Sequence, residues 1–367
     1  MILKSIDINC FRNYNRLHWQ PHAGINFITG ANAQGKTNLL EAIFFSGKGY
    51  SFRRKNSDVV GWHGTDASIK ATYQVNNMEM DVSVNINQNG KKKLFINGVE
   101  EKRKFLPGRF GIILFKPDDL QIIKGSPSGK RDFIDHNIGT IDPLYLQKLI
   151  QYRRVVEQRN FLLRSGRARN NDSFQIWNES FYQYGAEVLA RRIGLLKKYI
   201  PLVRKTYAGI TGGREELDMK YLSTLKITEK TDMEQIIMEF KSEGKNRQQE
   251  ELYKRQTIFG PHRDDIIFLI NNKDARYYAS QGQIRSIILA LKTAQIDLYF
   301  YEYGESPILL LDDVLMELDE QRQRYLLMLI VNNNVQSFIT TTELTGKIGH
   351  YANRVYLINN GQLREVI

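Results

Sequence analysis

Hydrophobic spacing changes twice along the chain. In the first hundred or so residues the apolar positions recur every second residue. "SIKATYQV" puts Ile69, Ala71, Tyr73 and Val75 on one face, and "MEMDVSVNI" does the same with Met80, Val82, Val84 and Ile86. Alternation of this kind predicts half-buried antiparallel strands. Asn89-Gly90 is a turn signal leading into "KKKLFING". "GINFITG" and "GIILFK" are short and apolar throughout, as strands buried on both faces are. From residue 117 to 256 the spacing becomes three and four. Trp177, Phe181, Tyr184 and Val188 step along one helical face, and Leu189, Ile193, Leu196 and Ile200 continue it. After residue 257 the pattern returns to strand, helix, strand. The expected organisation is a β-rich first lobe over 1–116, an inserted, mainly helical domain over 117–256, and a second α/β lobe over 257–367. The polar stretch "RSGRARNNDS" (164–173) is short of apolar anchors and is expected as a mobile loop.

Chemistry enters where a buried strand meets a helix. "GANAQGKT", residues 30–37, fits G-x-x-x-x-G-K-[ST] between the strand "GINFITG" and the helical pattern "TNLLEAIFFSG". Gly30 and Gly35 allow the backbone to fold closely around a phosphate. The amides of Ala31, Asn32, Ala33 and Gln34, with the helix start at Lys36, Thr37 and Asn38, then face an anion. Lys36 would reach the terminal phosphates of ATP, and the Thr37 hydroxyl would ligate Mg²⁺. The plainer alternative, a Gly-containing turn before an ordinary helix, does not account for the complete motif in that context.

A second candidate lies at "SPILLLDDV". The apolar run at 308–311 reads as a buried strand with Asp312 and Asp313 at its carboxyl end, where α/β sheets bind ligands. Asp312 suits a Mg²⁺-holding role, and Asp313 is placed to orient or deprotonate a water. Read alone, the pair could equally be a solvated strand end. A third stretch, "YASQGQIRS", contains Ser280, Gln281, Gly282 and Gln283. The S-x-x-Q spacing of Ser280 and Gln283 is a helix capping box. A capped helix start is also an anion site.

"SQGQ" ahead of a Walker-B-like strand resembles the signature of ABC ATPases, which closes over the γ-phosphate held by a partner's P-loop. Together with "FRNY" (11–14), "GSPSGKRDFID" (125–135), "GPHRDD" (260–265) and "LLLDD", these motifs resemble the RecF family of SMC-like ATPases, in order and over nearly the whole chain. The resemblance implies a P-loop NTPase head of ABC type with a short insert where SMC relatives carry long coiled coils. It implies an ATP-dependent homodimer and a weak, DNA-dependent, Mg²⁺-requiring ATPase. It further implies binding to duplex and to gapped or single-stranded junction DNA, and RecR and RecO as partners in recombinase loading. The catalytic set would be Lys36, Asp312 and Asp313. Arg12 of "FRNY" would either contact nucleotide or pair with a carboxylate. Three positions stand out against ABC transporters. Asp313 replaces the usual Glu, as in RecF-like proteins. Thr341 or Thr342 in "FITTTE" takes the place of the switch histidine. Met316 in "MELD" occupies a position where the family usually has Ser.

Composition narrows the partners. The 367 residues are 42% hydrophobic and 25% charged, enough for a substantial core, and the net charge is +12. Such an excess favours a polyanion, nucleic acid before membrane. Arg191, Arg192, Lys197 and Lys198 in the insert are the candidate DNA contacts, against the alternative of a solvated helix face. Cys10 is the single cysteine, which excludes an intrachain disulfide. "MILKSIDINC" has no apolar signal core, and no run approaches the roughly 18 apolar residues that span a bilayer. A cytoplasmic location without a membrane partner is expected. The competing class, the nucleotide-binding subunit of an ABC transporter, offers no reason for the basic insert. His262 of "GPHRDD" reads as a hydrogen-bonded junction residue, and Tyr152, Trp177 and Tyr184 as core before base-stacking platforms.

Overall fold

Two six-stranded sheets, with the helix Lys36–Lys48 in a shared core, build the part of the molecule that carries the P-loop. In the computed structural model the described residues are 1–53, 56–61, 64–101, 109–168, 172–228, 230–344 and 346–366, without the side chain at 347. The first sheet runs Tyr14–Trp19, Ile2–Phe11, Asp66–Val75, Met78–Asn87, Lys92–Ile96, Val99–Glu101, antiparallel throughout. Its alternating strands behave as their pattern predicts: Ile69, Ala71, Tyr73, Val82, Val84 and Ile86 are all buried on one face. Asn76 and Asn77 both take left-handed backbone (φ 48° and 63°), the geometry of a two-residue hairpin turn.

The second sheet has the order Gln362–Glu365, Arg354–Asn359, Ile25–Thr29, Ser337–Thr341, Ile308–Leu311, Ile112–Phe115. All but the first of these are parallel, and Ile25–Thr29 and Ile308–Leu311 are apolar because both faces are covered. The helix Lys36–Lys48 contributes to a common core with both sheets, with Leu39, Leu40, Ala42, Ile43, Phe44 and Phe45 all enclosed. That explains why "TNLLEAIFFSG" is apolar nearly all round rather than on one stripe. Glu41 is buried with them and is satisfied by Arg12, whose Nε and Nη2 each donate at 2.9 Å.

The chain divides into two compact units, Met1–Asp119 with Arg285–Ile367, and Leu120–Ile284. The expected return to the head at residue 257 is therefore corrected to Arg285. Its cause is the strand Asp265–Ile270, which pairs antiparallel with Leu217–Leu222 and with Lys273–Asp274 in a three-stranded sheet of the second unit. Around that sheet stand the helices Pro127–Ile141, Pro143–Arg164, Asp172–Thr211 and Met233–Asn246. Asp172–Thr211, at 40 residues, is about 60 Å long. An aromatic cluster of Tyr152, Phe181, Phe240 and Phe259 holds the unit together. The stretch expected as a mobile loop lies outside the described residues at 169–171. Ala168 beside it is buried.

Candidate nucleotide site

The loop between Ile25–Thr29 and Lys36–Lys48 has the shape the motif requires, and the surroundings show why. Gly30 has φ +143°, and a Cβ there would lie 2.5 Å from the Ile358 carbonyl oxygen. Gly35 has φ +115°, and its Cβ would lie 2.6 Å from Asn13 Nδ2. Neither position accepts a side chain without moving backbone or a loop clamp. Lys36 is buried and donates from Nζ to the carbonyls of Gly30 (2.6 Å) and Ala31 (3.1 Å), so its ammonium crosses the mouth of the loop. Ala31, Asn32 and Ala33 are exposed, with Ala33 left-handed at φ 65°. The first amides of the helix have no intrahelical acceptor, which leaves a row of donors for an anion.

"FRNY" clamps this loop from outside. Asn13 Nδ2 donates to the Gln34 carbonyl (2.9 Å), Asn38 Nδ2 donates to Asn13 Oδ1 (2.8 Å), and Tyr14 OH donates to the Gly35 carbonyl (2.9 Å). Burial raises the Tyr14 phenol well above its ordinary range, so it stays a donor. Gln34 Oε1 accepts from Asn360 N–H (2.8 Å). Arg12 takes the carboxylate alternative: both prongs of its guanidinium are committed to Glu41. Asn13, Tyr14 and Asn360 were not singled out by sequence reasoning. The tetrapeptide "FRNY" was the available signal for the first two, and nothing local marks Asn360.

Asp312 meets the loop directly. Thr37 Oγ1 donates to Asp312 Oδ1 at 2.8 Å, across 275 residues of sequence. Burial pushes the Asp312 carboxyl up from its ordinary value; the Thr37 hydrogen bond opposes that, and neighbouring Asp313 reinforces it. A carboxylate under such strain is well suited to a cation. The hydroxyl of Thr37 and the carboxylate of Asp312 are the hard oxygen donors Mg²⁺ takes alongside phosphate and water. These residues therefore fit Mg²⁺-ATP.

Asp313 is left-handed (φ 53°), a conformation Asp tolerates better than most residues, and its N–H donates to Thr340 Oγ1 at 2.8 Å. Thr340 Oγ1 also lies 3.2 Å from Asp312 Oδ1. Thr340 thus touches both aspartates. Of the two threonines expected near the switch position, Thr341 is buried with its hydroxyl on the Glu343 carbonyl (2.7 Å), and Thr342 is exposed. Met316, 45% exposed, sits on the short turn Leu315–Glu317.

The signature stretch belongs to the second unit. The Ser280 N–H donates to Gln283 Oε1 (2.8 Å), and the Gln283 N–H donates to Ser280 Oγ (3.2 Å), the reciprocal capping box that the spacing predicts at the start of helix Gln281–Tyr303. His262 hydrogen-bonds Tyr152 OH through Nδ1 (2.6 Å). Burial lowers its pKa to about 3, so the imidazole is neutral near pH 7, as suits a junction residue.

The basic candidates separate. Lys197 and Lys198 are exposed. Arg191 pairs with Asp142 at 2.7 Å and remains partly exposed. Arg192 is corrected: it is 1% exposed and cannot meet DNA. Its guanidinium donates to Asp135 (2.7 Å), Tyr145 OH (3.1 Å), Tyr221 OH (3.0 Å) and the Pro261 carbonyl (2.9 Å).

A P-loop closed by a Walker B aspartate, on a mixed sheet with an antiparallel lobe beside it, defines an ABC-type ATPase head of the SMC class. Residues 2–362 match the family model described as the RecF/RecN/SMC N-terminal domain. The chain is 44% identical to the DNA replication and repair protein RecF of Desulforamulus reducens, over 100% of this chain and 99% of that one. It is 38% identical to the RecF of Pelotomaculum thermopropionicum, over 99% and 100%. A solved structure of the recombination mediator RecF with ATP superimposes with a TM-score of 0.91 at 32% identity, covering 100% of this chain and 98% of that one. An SMC head at 15% identity (TM-score 0.59) shares the fold. The chain belongs to the RecF family of DNA replication and repair proteins. Among the described residues no helix is long and apolar enough to cross a membrane.

Proposed function

We propose that the protein is a slow, Mg²⁺-dependent ATPase whose ATP-bound heads pair and clamp DNA near gaps. The observation that carries this reading is the 2.8 Å bond from Thr37 to Asp312, which joins the P-loop to the Walker B strand end. Lys36, now held on two loop carbonyls, turns to the terminal phosphates when nucleotide enters. Thr37 and Asp312 would hold Mg²⁺, which would supply charge neutralisation at the phosphates. Asp313 orients the attacking water, and Thr340 fixes both aspartates from behind.

Ser280 and Gly282 meet the γ-phosphate held by a second copy, so each complete site draws on two chains. Pairing brings basic surfaces together over duplex DNA, and hydrolysis releases them. The RecF relative solved with ATP is a recombination mediator of the RecFOR pathway, which supports RecO and RecR as partners; a cytoplasmic role in recombinase loading belongs to the same proposal. The test is a DNA titration without nucleotide, with ATP and with ADP, read alongside oligomeric mass. ATP should give dimers and tight binding whose affinity falls steeply as salt rises. Binding indifferent to nucleotide and salt would overturn the reading.

A further inference from the structure

The signature turn is tied to a residue that no motif marks. Gln283 uses the two ends of its amide differently: Oε1 accepts from the Ser280 N–H (2.8 Å), while Nε2 donates to Glu215 Oε1 (2.8 Å). The other Glu215 oxygen accepts from Tyr207 OH at 2.6 Å. Tyr207 is fully buried on the helix Asp172–Thr211, and Glu215 lies in the connection from that helix to strand Leu217–Leu222. Just beyond it, the backbone of Glu216 exchanges two 2.9 Å bonds with Asn271, through that residue's N–H and side-chain oxygen. The Glu215 carboxylate is therefore held from a buried tyrosine on one side and from a pinned backbone on the other.

An amide can turn over end for end, whereas an ionised carboxylate can only accept. With Nε2 on Glu215, the oxygen of Gln283 must face the Ser280 N–H. Turned over, it would set oxygen against oxygen at Glu215 and nitrogen against nitrogen at Ser280. The Ser280 hydroxyl acts only as an acceptor in the cap, which leaves its hydrogen to be donated elsewhere. We infer that Glu215 is a positioning residue for the signature, locking Gln283 and through it Ser280 in the orientation that a partner chain's phosphate meets. This rests on the proposed ATP-dependent pairing of heads.

The test compares full-length wild type with Glu215→Ala, Glu215→Gln, Gln283→Ala and the Glu215→Ala/Gln283→Ala double variant. The readouts are the dimer dissociation constant by sedimentation with ATP, nucleotide affinity of the single chain, and melting temperature. Glu215→Ala should weaken pairing roughly tenfold, the loss expected for one hydrogen bond to a charged group. Its nucleotide affinity should match wild type, and its melting temperature should fall by no more than a few degrees, for the lost Tyr207 hydrogen bond. Glu215→Gln keeps an acceptor for Gln283 but can also turn over and donate, so it should restore pairing in part, to between the Ala variant and wild type. In the Gln283→Ala background, removing Glu215 should add nothing. Wild-type-like pairing of Glu215→Ala, equal losses in the Ala and Gln variants, or additive losses in the double variant would each overturn the inference alone. If Glu215→Ala melts early, Tyr207→Phe takes its place, with weakened pairing expected and unchanged pairing overturning the inference. A wild type that does not pair with ATP overturns the functional reading and this inference with it.

Discussion

Lys36 and Asp313 stand on opposite sides of one reaction. In the proposed mechanism Lys36 neutralises phosphate charge in the ground state, so Lys36→Ala should weaken ATP binding by at least about tenfold, measured by calorimetric titration. Asp313 acts on the water in the proposed mechanism. Asp313→Asn should leave ATP affinity nearly unchanged, lower the single-turnover rate by about 10² or more, and accumulate as an ATP-bound dimer. An Asn variant that binds ATP but stays monomeric would count against these roles. The P-loop residues were legible in sequence because their spacing is contiguous and each backbone amide contributes by position. Thr340 was not. It reaches Asp312 and Asp313 only because its strand lies beside theirs. Successive side chains of a strand point to opposite faces, so the next residue, Thr341, turns away to the Glu343 carbonyl. An error of one residue along a strand thus separates a site residue from a structural one. Arg12 shows the reverse limit: its type fits phosphate, but a buried Glu41 on the adjacent helix claims it.

At the scale of the element, the helix Asp172–Thr211 shows how a basic run can mislead. Its buried positions include Leu189, Arg192, Leu196, Tyr199 and Val203, steps of three and four that carry Arg192 inside the apolar stripe. The spacing was readable, and the arginine's place in it was the missed signal. What could not be read was the partner set, since Asp135, Tyr145, Tyr221 and Pro261 come from four other segments. Arg192→Ala should therefore act on stability, taking the buried guanidinium from Asp135 and leaving it only Tyr145 and the partly exposed Arg153, at a cost of about 3 kcal/mol, measured by urea unfolding. Lys197→Glu with Lys198→Glu, both exposed, should lower DNA affinity and flatten its salt dependence. Unchanged DNA affinity in the double variant would mark this as a solvated face with no part in binding.

At the scale of the whole molecule, a net charge of +12 and an ATPase head built from two separated stretches of the chain fit the proposal that a second copy finishes the site. The first lobe and its P-loop were legible because local patterns specify them. The end of the insert was not, because the pairing of Asp265–Ile270 with Leu217–Leu222 is a long-range register that no local signal reports. The two-copy proposal makes a prediction that no single-chain site could meet. Ser280→Arg places a bulky cation where a γ-phosphate must enter, yet leaves its own P-loop intact. Lys36→Ala leaves a sound signature beside a broken P-loop. Neither variant forms a complete site with itself. In a mixed pair one composite site carries both lesions, and the other joins the sound P-loop of one chain to the sound signature of its partner. Equal random mixing makes about half the pairs mixed, so about a quarter of wild-type sites should return. Where both sites must act together, a covalently linked mixed dimer scored for ATP-dependent closure is the cleaner measurement. Closure above either linked homodimer is the expected outcome. A mixed dimer that closes no better than they do would leave Ser280 as a helix cap and nothing more.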